Sequence, residues 1–213
     1  MVCQIVNENQ LNQFKVRITK PQSREKLKTL SKNIRNKLGI KSNQLFVDIL
    51  YCLEISIPKI DPTFQFVISD VEQINKPNEA FFSPETNTIF IRADVYEKAR
   101  NEDGRARFTI AHEIAHYFLF KILGIPHFEK WENIMYYNDA TIHSMDPEWQ
   151  ADVVANYLLC KSNLIKNLSE KDISIYCKVS HNAAYTAQSN ANGKKYFDYS
   201  EFFKKICSQS KST

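Results

Sequence analysis

The chain has 213 residues, 43% hydrophobic and 24% charged, which is enough to bury a core in one domain without disulfides. Its net charge of +4 is too small to demand nucleic acid as a partner, so direct nucleic-acid binding is not expected. Only four glycines occur, which argues against a Gly-rich phosphate loop and against a flexible linker.

In chain order, residues 1–22 read as an N-terminal segment, polar and irregular at its start and expected to be poorly ordered. Ser23 to Leu38 predicts a helix, because Leu27, Leu30, Ile34 and Leu38 recur at three- and four-residue steps and Gly39 stops the run. Leu45 to Leu53 predicts a short helix with Phe46, Ile49, Leu50 and Leu53 on one face. From Ile55 to Arg92 the pattern turns β-rich. Phe64 to Ile68 is one candidate strand, and Ala80-Phe81-Phe82 and Thr88 to Arg92 flank a turn to form a hairpin. Arg105 to Leu123 predicts a long buried helix ended by Gly124-Ile125-Pro126. His127 to Met145 reads as an aromatic-rich loop. Asp146-Pro147-Glu148 opens the next helix, since Asp caps well and Pro suits the first turn; it runs to about Leu159 or Lys161. Two shorter helices follow, Glu170 to Lys178 and His181 to Ser189.

The five cysteines are odd in number and widely spaced, without Cys-x-x-Cys, which fits a reducing compartment better than a disulfide framework. No basic region precedes an apolar run at the N-terminus, and no stretch approaches the roughly 18 apolar residues that span a bilayer. A cytoplasmic location with no membrane partner is expected.

The chemistry concentrates at His112-Glu113-Ile114-Ala115-His116. Two histidines four apart on a helix project from one face, one turn apart, and can hold one divalent ion. Glu113 flanks that ion, placed to act on water as a general base rather than to ligate. Phe108, Ile110, Ala111, Ile114, Ala115, Phe118 and Leu119 surround the motif; a helix so apolar carries two histidines and a glutamate at a cost unless they are used.

A catalytic zinc needs a third protein ligand and an open position. Downstream candidates are His127, Glu129, Glu132, Asp139, His143, Asp146, Glu148 and Asp152. Glu148 is preferred because it opens a helix on which Asp152 lies four residues later, able to accept a hydrogen bond from the far nitrogen of a ligating histidine. The competing readings are a helix-start carboxylate at Glu148 and His143 as ligand. A three-histidine extension of the motif fails, since Tyr117 to Ile122 holds neither the Gly nor the third His. Two His and one carboxylate suit Zn2+ and do not exclude Mn2+ or Fe2+. Tyr136, Tyr137, His143 and His181 are candidate donors to a developing oxyanion. Thr88 to Arg92 is the candidate sheet edge for an extended substrate.

Arg107-Phe108-Thr109-Ile110-Ala111-His112-Glu113-Ile114-Ala115-His116, followed by Glu148-Trp149-Gln150-Ala151-Asp152-Val153-Val154-Ala155-Asn156-Tyr157-Leu158-Leu159, resembles the paired motifs of the ImmA/IrrE family of metallopeptidases. The family's second motif has Phe where this chain has Val154, and usually Met-Pro where it has Cys160-Lys161; these changes touch packing and the helix end. Val179-Ser180-His181-Asn182-Ala183-Ala184 is similar to the family's Val-Ser-x-x-Ala turn. The resemblance spans roughly Ser23 to Ala187.

It implies an α+β, zincin-like minimal metallopeptidase with gluzincin-like ligands. A small antiparallel or mixed sheet would pack on the active-site helices, with short C-terminal helices appended. The implied divisions are the N-terminal segment 1–22, a peptidase domain over 23–165 and a helical, helix-turn-helix-like extension over 166–213. The implied site is His112, His116 and Glu148 on zinc, Glu113 as general base and Asp152 behind a ligand. The implied partner is a helix-turn-helix transcriptional repressor or antitoxin. A metal-stabilised protein that sequesters such a partner without cutting it is the alternative, and DNA binding by the C-terminal helices a third.

Overall fold

The computed structural model describes residues 15–70, 79–130, 137 and 139–193. Strand β1 (Lys15–Ile18) leads to helix α1 (Arg24–Lys37). Ser23 caps α1 by accepting the Lys26 N–H, and the chain leaves it through Gly39 at φ 75°. Leu27 and Ile34 are buried as the periodicity predicts. The second helix begins later than expected, because Asp48 caps it by accepting the Tyr51 N–H. This element, α2, joins Ile49–Tyr51, a π turn at Cys52–Ser56 and Ile57–Ile60. The Ile57 N–H reaches back five residues to the Cys52 carbonyl, just before Pro58, which has no N–H to give.

Strands β2 (Gln65–Ser69), β3 (Ala80–Ser83) and β4 (Thr88–Arg92) form a mixed sheet in the order β2-β4-β3. The hairpin is antiparallel, with Ala80 opposite Ile91 and Ser83 opposite Thr88, while β2 lies parallel to β4. Thr88 to Arg92 is therefore the central strand and offers no edge; the expectation that it would is corrected. It has neighbours on both sides, and Ile89 and Ile91 are fully buried. Among the described residues the outer edge on the hairpin side belongs to β3.

Helix α3 (Ala93–Arg100) leads into α4 (Gly104–Leu123), which Asp103 caps by accepting the Ala106 N–H at 2.8 Å and Gly124 closes at φ 84°. The expected loop after α4 instead holds β5 (His127–Lys130) and helix α5 (Asp139–Ser144). β5 pairs antiparallel with β1, Ile18 opposite His127. Part of the N-terminal segment expected to lack order is thus a strand. The Thr19 N–H to the Met145 carbonyl (2.9 Å) and the Gln22 N–H to the Ser144 carbonyl (3.0 Å) carry it onto the next junction.

Helix α6 (Pro147–Leu159) is capped by Asp146, which accepts the Glu148 N–H at 2.9 Å. Helices α7 (Ser162–Ile165), α8 (Glu170–Cys177) and α9 (His181–Ala191) complete the described chain. The core lies where α4 meets α6 and α6 meets α1. Ile110, Ile114, Val154 and Leu158 are fully buried there, and each such side chain contributes about 1.5–3 kcal/mol. Buried Arg35 donates to the carbonyls of Leu158 and Gln44, locking α1 against the end of α6. Among the described residues no helix is long and apolar enough to cross a membrane. The fold is mixed α+β, with a small mixed sheet beside the helices.

Candidate metal centre

Helix α4 supplies His112, Glu113 and His116; helix α6 supplies Glu148 and Asp152. The i, i+4 spacing sets the two imidazoles edge to face, with ring centroids 4.6 Å apart. The two histidine Nε2 atoms lie 2.9 Å apart. Glu148 Oε2 stands 3.2 Å from the first and 3.3 Å from the second. Among the described residues this is the group able to hold a metal ion. Zinc bonds near 2.0–2.2 Å would set tetrahedral donor atoms about 3.3 Å apart. The two histidine-to-Glu148 separations match that, and the imidazole pair is a little tighter. Two imidazole nitrogens and one carboxylate oxygen converging on one point fit a divalent cation.

Asp152 Oδ1 lies 2.8 Å from His112 Nδ1. A proton on Nδ1 donated to Asp152 leaves the Nε2 lone pair aimed at the common point. Without an ion, burial pulls the His112 pKa down, but the hydrogen bonds to Asp152 and Glu148 outweigh it and hold it up at about 10. Burial pushes Glu148 up, yet the two imidazoles beside it win and hold it well below the carboxylate range. Glu113 is different: burial raises it, against the lowering pull of His116 and His112. Its Oε2 accepts the Phe82 N–H from β3 at 2.8 Å, tying α4 to the sheet edge.

Glu113, His116 and Glu148 border a cleft of about 530 Å3. Its apolar lining includes Phe82, Leu119, Phe120, Leu123 and Ile142. Arg17, Ile18 and Thr19 close one side.

The other expected residues do not join this group. His143, the rival ligand, sits on α5 with its ring 4.6 Å from Trp149, and burial followed by the Arg24 charge lowers its pKa to about 4. Tyr137 is exposed, and His181 is the exposed first residue of α9. His127 is exposed on β5, Glu129 lies in the same strand, Asp139 begins α5, and Asp146 serves as the α6 cap. Tyr136 and Glu132 lie outside the described residues. Sequence reasoning missed two features of the cleft, Arg17 and the Phe82 N–H. The first belongs to a strand whose partner is more than a hundred residues away. The second is a backbone group that no residue type announces.

No protein-family model matches the chain, and no curated protein matches it.

Proposed function

We propose that the protein is a zinc-dependent endopeptidase with a zincin-like fold, acting in the cytoplasm on a helix-turn-helix repressor or antitoxin. The observation that carries this reading is that three atoms from two helices converge closely enough to hold an ion, and that two of their residues, His116 and Glu148, line one cleft with buried Glu113, which is not one of the three. The fit to zinc rests on the donor set; Mn2+ and Fe2+ suit the same atoms. The repressor or antitoxin as target rests on the motif resemblance alone.

A zinc ion bound there would polarise the scissile carbonyl and lower the pKa of water towards about 7. Glu113 supplies the base. Its Oε2 is engaged by the Phe82 N–H, which leaves Oε1 to take the proton from the attacking water and return it to the departing amine. Burial raises the Glu113 pKa, a shift in the direction that eases return of the proton to the amine. Asp152 fixes the His112 ring. An extended substrate segment would lie along the outer edge of β3, using backbone groups other than the Phe82 N–H that Glu113 holds, with its side chains against the apolar lining of the cleft.

The test is cleavage of a degenerate peptide mixture by the zinc-loaded protein, with products read by mass spectrometry. Wild type yields defined cuts; Glu113→Gln keeps its zinc and loses at least about 100-fold in rate. Full cleavage by that variant would remove Glu113 from the mechanism. A zinc-loaded wild type that cuts nothing, yet binds a helix-turn-helix protein, would favour sequestration instead.

A further inference from the structure

The hydrolysis proposed above builds negative charge on the carbonyl oxygen, and a fixed donor aimed there is worth a large share of the rate. Tyr137, His143 and His181 do not line the cleft. Among its described lining residues, Arg17 is the one Arg, Lys or Tyr.

Arg17 is held where it can act. Its strand β1 pairs with β5, and Gln150 on α6 donates to the carbonyls of Lys20 (2.9 Å) and Ser144 (2.7 Å). Gln150 is fully buried, so the exit of β1 is fastened to the helix that carries Glu148. Arg17 and Ile18 both line the cleft, Ile18 buried and Arg17 exposed to solvent.

The two oxygens of Glu148 divide the work. Oε2 faces the two imidazole nitrogens, and Oε1 lies 3.9 Å from Arg17 Nη1. At that distance the contact is an ion pair rather than a hydrogen bond. The guanidinium, with five donors in a fixed fork, keeps donors for a ligand. Its side chain is 47% exposed and lines the cleft, so it is open to solvent there.

We propose that Arg17 is a catalytic residue: its guanidinium donates a hydrogen bond to the scissile carbonyl oxygen as that oxygen gains negative charge. The proposal rests on the hydrolase reading. In the step it assists, a C–O bond forms from water, the carbonyl π pair moves onto the oxygen beside Arg17, and the water proton goes to Glu113. Collapse then reforms the carbonyl and breaks the C–N bond, and the nitrogen takes the proton back from Glu113. Arg17 loses and gains no proton.

The test compares full-length, zinc-loaded wild type with Arg17→Met and Arg17→Lys. The readouts are kcat and KM on a peptide that wild type cuts, zinc affinity by chelator competition, and affinity for two probes. One probe is a phosphinic peptide, whose tetrahedral anionic group mimics the oxyanion; the other is acetohydroxamate, a small zinc chelator. Arg17→Met should lower kcat by about 100-fold and weaken the phosphinic peptide comparably. KM, zinc affinity and acetohydroxamate binding should stay within about threefold, the spread expected once uniform binding is untouched. Arg17→Lys, which keeps the charge but not the fork, should fall between. Unchanged kcat and phosphinic binding would overturn the proposal. So would a loss of zinc affinity matching the loss of kcat, since Arg17 would then act only through Glu148. Failure of the zinc-loaded wild type to cut any peptide would sink the hydrolase reading itself, and this proposal with it.

Discussion

His112 sits between two carboxylates, Asp152 at Nδ1 and Glu148 at Nε2, and its behaviour follows from that position. In the metal-free protein both neighbours favour the imidazolium, which is why its pKa stands near 10 despite burial. A metal ion needs the neutral ring, so binding must expel this proton. Zinc affinity should therefore rise with pH until about 10. Calorimetry at neutral pH in buffers of different ionisation enthalpy should show roughly one proton released from this ring per zinc bound; no release would contradict the assignment. The linkage for folding runs the same way. His112 is raised from 6.5, so its contribution to metal-free stability is full below 6.5 and lost as pH climbs through about 10. His143 is lowered to about 4, so its contribution is present above 6.5 and lost as pH falls towards 4. Replacing Asp152 with Asn removes the anion behind His112 while keeping the shape. Zinc affinity by chelator competition should drop about 10- to 100-fold, and an unchanged affinity would make Asp152 a solvated bystander.

At the scale of elements, what was legible in the sequence was what local chemistry fixes. Helices α1, α4 and α6 follow from period and caps: Ser23, Asp103 and Asp146 each accept a first-turn N–H. The hairpin follows from its turn, with Asn87 at φ 52°. The ion-binding group was legible because a helical spacing of four places two histidines together, and a second capped helix offers Glu148. What was not legible depends on distant pairing. β1 and β5 are four residues each, and neither has an apolar run of its own to announce a strand. The central position of β4 had a signal in the nearly continuous run Thr88-Ile89-Phe90-Ile91, the mark of a strand covered on both faces. The approach of α8 and α9 to α4 is set by Gly104. A Cβ there would stand 2.5 Å from the Ser180 nitrogen and the Val179 carbonyl carbon. Beside it, buried Arg107 donates to the carbonyls of Lys178 and Val47. Gly104→Ala should therefore cost about 1–3 kcal/mol by overpacking, read as a lower urea midpoint. An unchanged midpoint would mean that the turn yields without strain.

Across the whole molecule, two helices, a sheet edge and an N-terminal strand meet at one cleft. The helices bring three atoms able to hold an ion, β3 holds Glu113 through a backbone N–H, and β1 adds a cation. No one of these elements makes a site alone. The central claim is that His112, His116 and Glu148 are one metal centre, and titration of zinc into the metal-free protein tests it most directly. Wild type should take up one zinc per chain with a dissociation constant below about a micromolar, as three converging donors allow. Glu148→Ala should weaken that binding by at least about 100-fold, an estimate set by the loss of a direct ligand rather than of a supporting group. A wild type that binds no zinc, or a Glu148→Ala variant that binds it as tightly as wild type, would contradict the account.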